Sequence, residues 1–205
     1  MYSSLPSFVL GFHGCDAAVC EKILNAKDTL KPSNNDYDWL GNGIYFWEND
    51  PQRAMWYADF LQKHPKRAKA IIKKPAVIGA IIDVGHCLNL IEAKSLDIVK
   101  TAYELFKSTQ EMAGLPLPEN KPIGDEQDLL LRKLDCAVIE TIHAYNKENG
   151  HPGYDSVRGV FWEGNELYPN AGFKERNHIQ ICVRNVNCIK GYFTPLDADA
   201  GFPVP

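Results

Sequence analysis

The chain has 205 residues, 45% hydrophobic and 23% charged, with 22 Lys+Arg against 26 Asp+Glu and a formal net charge of −4. That length predicts one domain over residues 1–205, able to bury about 70% of its unfolded surface without a disulfide or metal staple. The acidic balance excludes a broadly basic nucleic-acid coat, and no apolar run approaches the roughly 18 residues of a membrane span.

In chain order, the opening MYSSLPSFVLGFHG lacks a basic start, and residues 7–12 read as a first strand rather than part of a leader. Asp16 caps a helix over about 17–26, with Val19, Ile23 and Leu24 on one face. Residues 31–38 (KPSNNDYD) are turn formers. A glycine turn then runs into an aromatic strand, and Asn49 or Asp50 caps a helix with Pro51 in its first turn that ends before Pro65. Residues 76–84 (AVIGAIIDV) read as a central strand. From about 92 to 149 the period turns helical twice. The first stripe is Leu96, Val99, Tyr103 and Phe106. The second is Leu130, Leu134, Ala137, Val138, Thr141 and Ile142. A Pro/Gly loop at 114–124 separates them, which predicts an inserted helical hairpin. Strands return at 156–162, 178–183 and 188–193, and the last dozen residues read as a partly ordered tail. The order is α+β, without regular βαβ alternation.

Cysteines stand at 15, 20, 87, 136, 182 and 188 with no C-x-x-C pair. They predict free thiols in a reducing cytosol and no metal site.

Four features bear on chemistry. His13-Gly14 ends the first strand, where a glycine lets a ligand approach the backbone; a turn glycine beside a strand-end histidine is the plain alternative. Gly41-Asn42-Gly43-Ile44-Tyr45-Phe46 presents Tyr45 opposite Ile44 and Phe46, and Tyr57 falls on the next helix. Two tyrosines there would sandwich a flat ring, unless they are ordinary aromatic core with Trp47, Trp56 and Phe60. Alternation along 178–183 puts His178, Gln180 and Cys182 on one face and Ile179, Ile181 and Val183 on the other. The fifteen-residue loop 163–177 before it has a length that points to function. It carries Glu163, Glu166, Tyr168, Phe173, Lys174, Glu175 and Arg176. A basic run at 63–74 holds six Lys/Arg and no acid, and reads as a solvated helix end or a guide for a phosphate backbone.

In order and spacing, FHG (12–14), GNGIYF (41–46), RAMWYA (53–58) and the strand at 178–183 resemble the ADP-ribosyltransferase superfamily. The branch is that of diphtheria toxin and the poly(ADP-ribose) polymerases. The resemblance covers about 1–90 and 156–193 and leaves the helical insertion outside. It implies a split β-sheet core and a site for NAD, used as substrate, with no metal. Gly14 would bind the nicotinamide amide, Tyr45 and Tyr57, with Gly43 in the turn, would hold its ring, and His13 would bond a ribose hydroxyl.

The departure is in the third motif, where the family's glutamate position best matches Gln180. Glutamine holds a hydroxyl but takes no proton at neutral pH. The base role falls to His178, which would make activity fall below about pH 6, or to Glu163, Glu166, Glu175 or the target itself. The resemblance implies a mono-ADP-ribosyltransferase, a cytoplasmic toxin or effector of the toxin–antitoxin or phage-defence kind with a possible neutralising partner. An NAD glycohydrolase and an inactive NAD or ADP-ribose reader are its rivals. Tyr168 and Phe173 beside cations lean the acceptor towards nucleic acid over protein.

Overall fold

A computed structural model describes residues 8–67, 70–123, 128–197 and 201. Ser7 of the expected first strand, Lys69 of the basic run, Gly124 of the Pro/Gly loop and most of the expected tail lie outside them.

The chain begins with β1 (Phe8–Asp16) and α1 (Ala17–Leu24). Asp16 caps α1, accepting from Ala18 N at 2.9 Å. The helix stops two residues before the sequence expectation because Ala26 takes a positive φ of 53°. β2 (Ile44–Glu48) leads into α2 (Pro51–Lys63), where Asp50 accepts from Arg53 N at 2.8 Å and Pro51 occupies the first turn. β3 (Pro75–Asp83) follows. Next comes β4 (Cys87–Asn89), three residues that carry no legible pattern. The insertion consists of α3 (Ala93–Ala113), the two-residue strands β5 (Asn120–Lys121) and β6 (Leu131–Arg132), and α4 (Lys133–Glu148). Leu96, expected on the buried stripe of α3, is exposed, while Val99, Tyr103 and Phe106 pack inward. β7 (Ser156–Phe161), β8 (His178–Val183) and β9 (Ile189–Phe193) complete the chain.

The fold is α+β around one mixed seven-stranded sheet of order β4-β7-β8-β2-β1-β3-β9, in which only β4 and β7 run parallel. Its middle joint is slight. β1 pairs with β3 along its whole length, but β1 and β2 share only Gly11↔Glu48 and Phe12↔Trp47.

One face carries Ile44, Phe46, Ile78, Ala80, Ile82, Ile181 and Val183, covered by Cys20 and Ile23 of α1 and by Leu30. The other face has two covers. Phe12, Trp47 and Val77 pack with Ala54 of α2. Tyr45, Leu88, Val157 and Cys182 pack with α3 and α4 through Val99, Ala102, Tyr103, Val138, Ile139 and Ile142. Gly14 lets α2 seat: a Cβ there would collide with the Ala54 carbonyl and meet the Ala58 methyl at 3.2 Å. Between the two covers a seam runs over β2 and β8.

All six cysteines are free thiols; the Cys15 and Cys20 sulfurs lie 3.3 Å apart. No helix among the described residues is long and apolar enough to cross a membrane.

Candidate active site in the seam

The seam gathers residues from distant parts of the chain. Trp47 and Gln180 are register partners on β2 and β8, and Gly159 of β7 pairs with Gln180 from the other side. Trp39, from the loop before β2, lies on Gly159: a Cβ at that position would come 2.8 Å from the indole rim. The Trp39 Nε1–H donates to Gln180 Oε1 at 2.7 Å. An indole N–H is donor only, so this bond fixes the amide orientation and leaves the –NH2 of Gln180 to face a ligand. Gln180 therefore offers a donor.

The tyrosines differ in role. Tyr45 donates its hydroxyl to the Gly41 carbonyl at 2.8 Å and accepts from Leu40 N at 3.0 Å, which closes the glycine turn. Burial pushes that hydroxyl's pKa well up. Gly43 of the same turn packs where a Cβ would strike the Cys182 sulfur at 2.5 Å. The ring that Tyr57 touches is Trp47, at 5.1 Å, because α2 rises directly from the end of β2. Tyr57 is 37% exposed, and burial of its hydroxyl raises its pKa to about 12. Tyr45 and Tyr57 thus belong to the two covers of the seam and do not stack on each other.

His13 sits where β1 and β2 part. Its Nδ1–H donates to the Tyr45 carbonyl at 2.8 Å, and burial lowers its pKa, so the neutral ring keeps Nε2 as an acceptor.

His178 is 8% exposed. Its Nδ1–H donates to the Arg176 carbonyl at 2.7 Å, and its ring stacks on Phe161 at 5.3 Å. Nε2 is buried without a partner in the structure. Burial brings its pKa down to about 4. The ring is neutral at pH 7 and a weak base, so the activity loss expected near pH 6 from its protonation moves to about pH 4.

Glu163 follows Phe161 by two residues on the same side and is 7% exposed. It meets Arg53 of α2 at 2.8 Å and Arg176 at 3.6 Å. Burial raises its pKa against the opposing pull of both arginines. Arg53 keeps Nε and Nη1 buried without partners, as does Trp47 its Nε1. Buried donors of this kind call for a ligand or bound water. The Arg53 guanidinium also lies 4.5 Å over Trp56.

The rest of loop 163–177 turns back on itself as a small hairpin. Glu166 bridges to Lys174, Leu167 N donates to the Phe173 carbonyl at 3.0 Å, and Ala171 N to that of Tyr168 at 2.9 Å. Glu166 accepts from Asn170 N at 2.8 Å and Glu175 from Asn165 Nδ2 at 3.3 Å, both exposed. Tyr168 and Phe173 project at 55% and 61% exposure. Of the three loop glutamates, only Glu163 reaches the seam. In the basic run, Lys73 and Lys74 donate backbone N–H groups to Asp16 at 2.6 and 3.0 Å. Trp39, Trp47, Arg53 and Phe161 were not singled out as site residues by sequence, and Arg176 was read only as a loop cation beside Tyr168 and Phe173; the turn formers before Trp39 were the nearest signal.

No protein-family profile matches the chain, and no solved structure matches it significantly. Among curated proteins it is 30% identical over 200 positions to the uncharacterized protein MJ0359 of Methanocaldococcus jannaschii, covering 87% of this chain and 83% of that one.

Proposed function

The chain belongs to the same family as the archaeal MJ0359 protein, and for it we propose an NAD-dependent mono-ADP-ribosyltransferase, built on one seven-stranded sheet with a slight middle joint where a split sheet was expected. The observation that carries this reading is the meeting of three separated stretches at one seam: 41–47, 53–57 and 178–180. They overlap three of the four stretches on which the resemblance rests; the fourth, 12–14, lies on β1.

In this reading NAD is the substrate. The nicotinamide–ribose C–N bond breaks, its electron pair leaves with nicotinamide, and the ribose carbon becomes oxocarbenium-like before the acceptor attacks. Tyr45, Trp47 and Tyr57 enclose the departing ring, with Gly14 inside β1, two residues before the strand ends, where the sequence pattern predicts a strand end. Gln180 and His13 hold ribose hydroxyls, one as donor and one as acceptor. Glu163 supplies the negative charge that the third motif lacks and takes the acceptor's proton. Its raised pKa suits that transfer better than the pKa of His178, held near 4. Removing one such group costs roughly 10²–10⁴ in rate. The effector setting, cytoplasmic residence and a neutralising partner belong to the same proposal.

The test is incubation with NAD labelled in the adenylate and a cell lysate. Label on macromolecules is expected, and Glu163→Gln should lower it while Glu166→Gln and Glu175→Gln leave it unchanged. Free ADP-ribose alone would make the chain a glycohydrolase, and binding without turnover a reader. Equal loss in all three glutamine variants would remove Glu163 from its role.

A further inference from the structure

We propose that a second site, the groove between the helical hairpin and Trp39, seats the acceptor, and that the acceptor is a nucleotide unit of a nucleic acid. Its role as acceptor rests on the transferase reading; its capacity to bind does not. The groove encloses about 360 Å³. Its floor is apolar, formed by Leu90, Val99, Leu134, Val138 and Ile139, and its aromatic residues are Trp39 and Tyr103.

Three features define what fits. The Trp39 wall is fixed before any ligand arrives, by Gly159 beneath the indole and by the bond to Gln180. A preformed flat wall favours a planar ring, because little ordering is lost on stacking. The charges sit at the rim. Asp135 is already engaged, by Asn120 Nδ2 at 2.8 Å and Arg132 at 3.4 Å. Lys100 lines the groove, is exposed, and makes no ion pair among the described residues, so the rim carries an uncompensated cation. Arg132 lies 5.3 Å over Trp39 and 4.5 Å over Phe161 and donates Nε–H to the Leu129 carbonyl at 2.9 Å, but its charge is matched by Asp135, so Lys100 carries the groove's net positive charge. An aromatic slot with a dry floor and a cationic rim matches a nucleobase inside and its phosphate outside.

The third feature is continuity. One indole forms a wall of the groove and hydrogen-bonds Gln180, so an occupant lies one side chain from the proposed ribose position. A tyrosine or tryptophan of a protein acceptor would use the slot but leave Lys100 without a counter-charge.

The experiment is calorimetric titration of the full chain with AMP, GMP, CMP and UMP, and separately with NAD, in the parent, Val99→Trp and Lys100→Glu. Val99→Trp fills the groove from α3; Lys100→Glu changes only an exposed charge and guards against a misfolded filler. We expect nucleoside monophosphate affinity to fall more than tenfold in Val99→Trp and three- to tenfold in Lys100→Glu, with NAD affinity within twofold of the parent in both. Unchanged monophosphate binding in both variants would overturn the site. Parallel loss of NAD binding would make the groove part of the NAD site and overturn the acceptor assignment. Preference for a tryptophan-containing peptide over all four monophosphates would overturn the nucleotide class. Sensitive monophosphate binding in a chain that never cleaves NAD would uphold the binding site and reject the transferase reading alone.

Discussion

Gly159 shows how one missing methyl group shapes the seam. The indole of Trp39 occupies the space a Cβ would take, and only from there does its N–H reach Gln180. Gly159→Ala should cost about 1–3 kcal/mol through overpacking. It should also release Gln180, which an NMR spectrum of the tryptophan indole N–H groups would show as a shifted Trp39 resonance. An unmoved resonance would mean that the strand, not the indole, gives way. The alternation of His178, Gln180 and Cys182 was legible because it is local to one strand. The partner of Gln180 lies 141 residues away and the partner of Glu163 lies 110 away. No periodicity connects residues at that separation, so Trp39 and Arg53 emerge only when the sheet brings them together.

Elements with a cap or a breaker were readable, and those without were not. Asp50 and Pro51 mark the start of α2 in the sequence and in the fold. β4 has three residues and owes its existence to its neighbour β7. The 163–177 loop gave no strand pattern because a single bridge and a few backbone bonds define its hairpin. Asp16 exceeds what a cap signal conveys, since its carboxylate also accepts from Lys73 and Lys74 and so ties α1 to the entry of β3. These backbone donors hold its pKa below the usual carboxylate range. Asp16→Ala should lower the unfolding free energy by about 1–2 kcal/mol, the upper part of the range for a lost N-cap. Asp16→Asn should recover part of it, because one acceptor oxygen remains. Denaturant midpoints of the two variants decide this; equal losses would assign the effect to charge.

For the whole molecule, three histidines whose charged form is disfavoured by burial set the response to acid. Burial lowers the pKa of His13 and brings those of His143 and His178 down to about 4. An unfolded histidine titrates near 6.5, so the folded state resists protonation that the unfolded chain accepts. Their contribution is fully present above about pH 6.5 and is lost as pH falls towards 4, at about 1.4 kcal/mol per pH unit for each ring. Urea midpoints measured from pH 7 to pH 4 should fall across that window. His143→Gln should remove one ring's share of the slope without touching the seam. A flat profile down to pH 4 would show that these rings find a counter-charge when protonated.

The slight joint between β1 and β2 has a consequence for how the molecule comes apart. Two residue pairs hold strands that on their other sides share long ladders. Cooperative opening follows the weakest boundary, so each half-sheet should behave as its own unit of exchange. Under native conditions with mild denaturant, amides of β3 and β9 should exchange with one opening free energy and those of β7 and β8 with another. The backbone around His13 and Tyr45 would be deprotected first. Access to the seam would then be governed by a breathing motion between two halves, and ligands spanning it should raise the protection of both together.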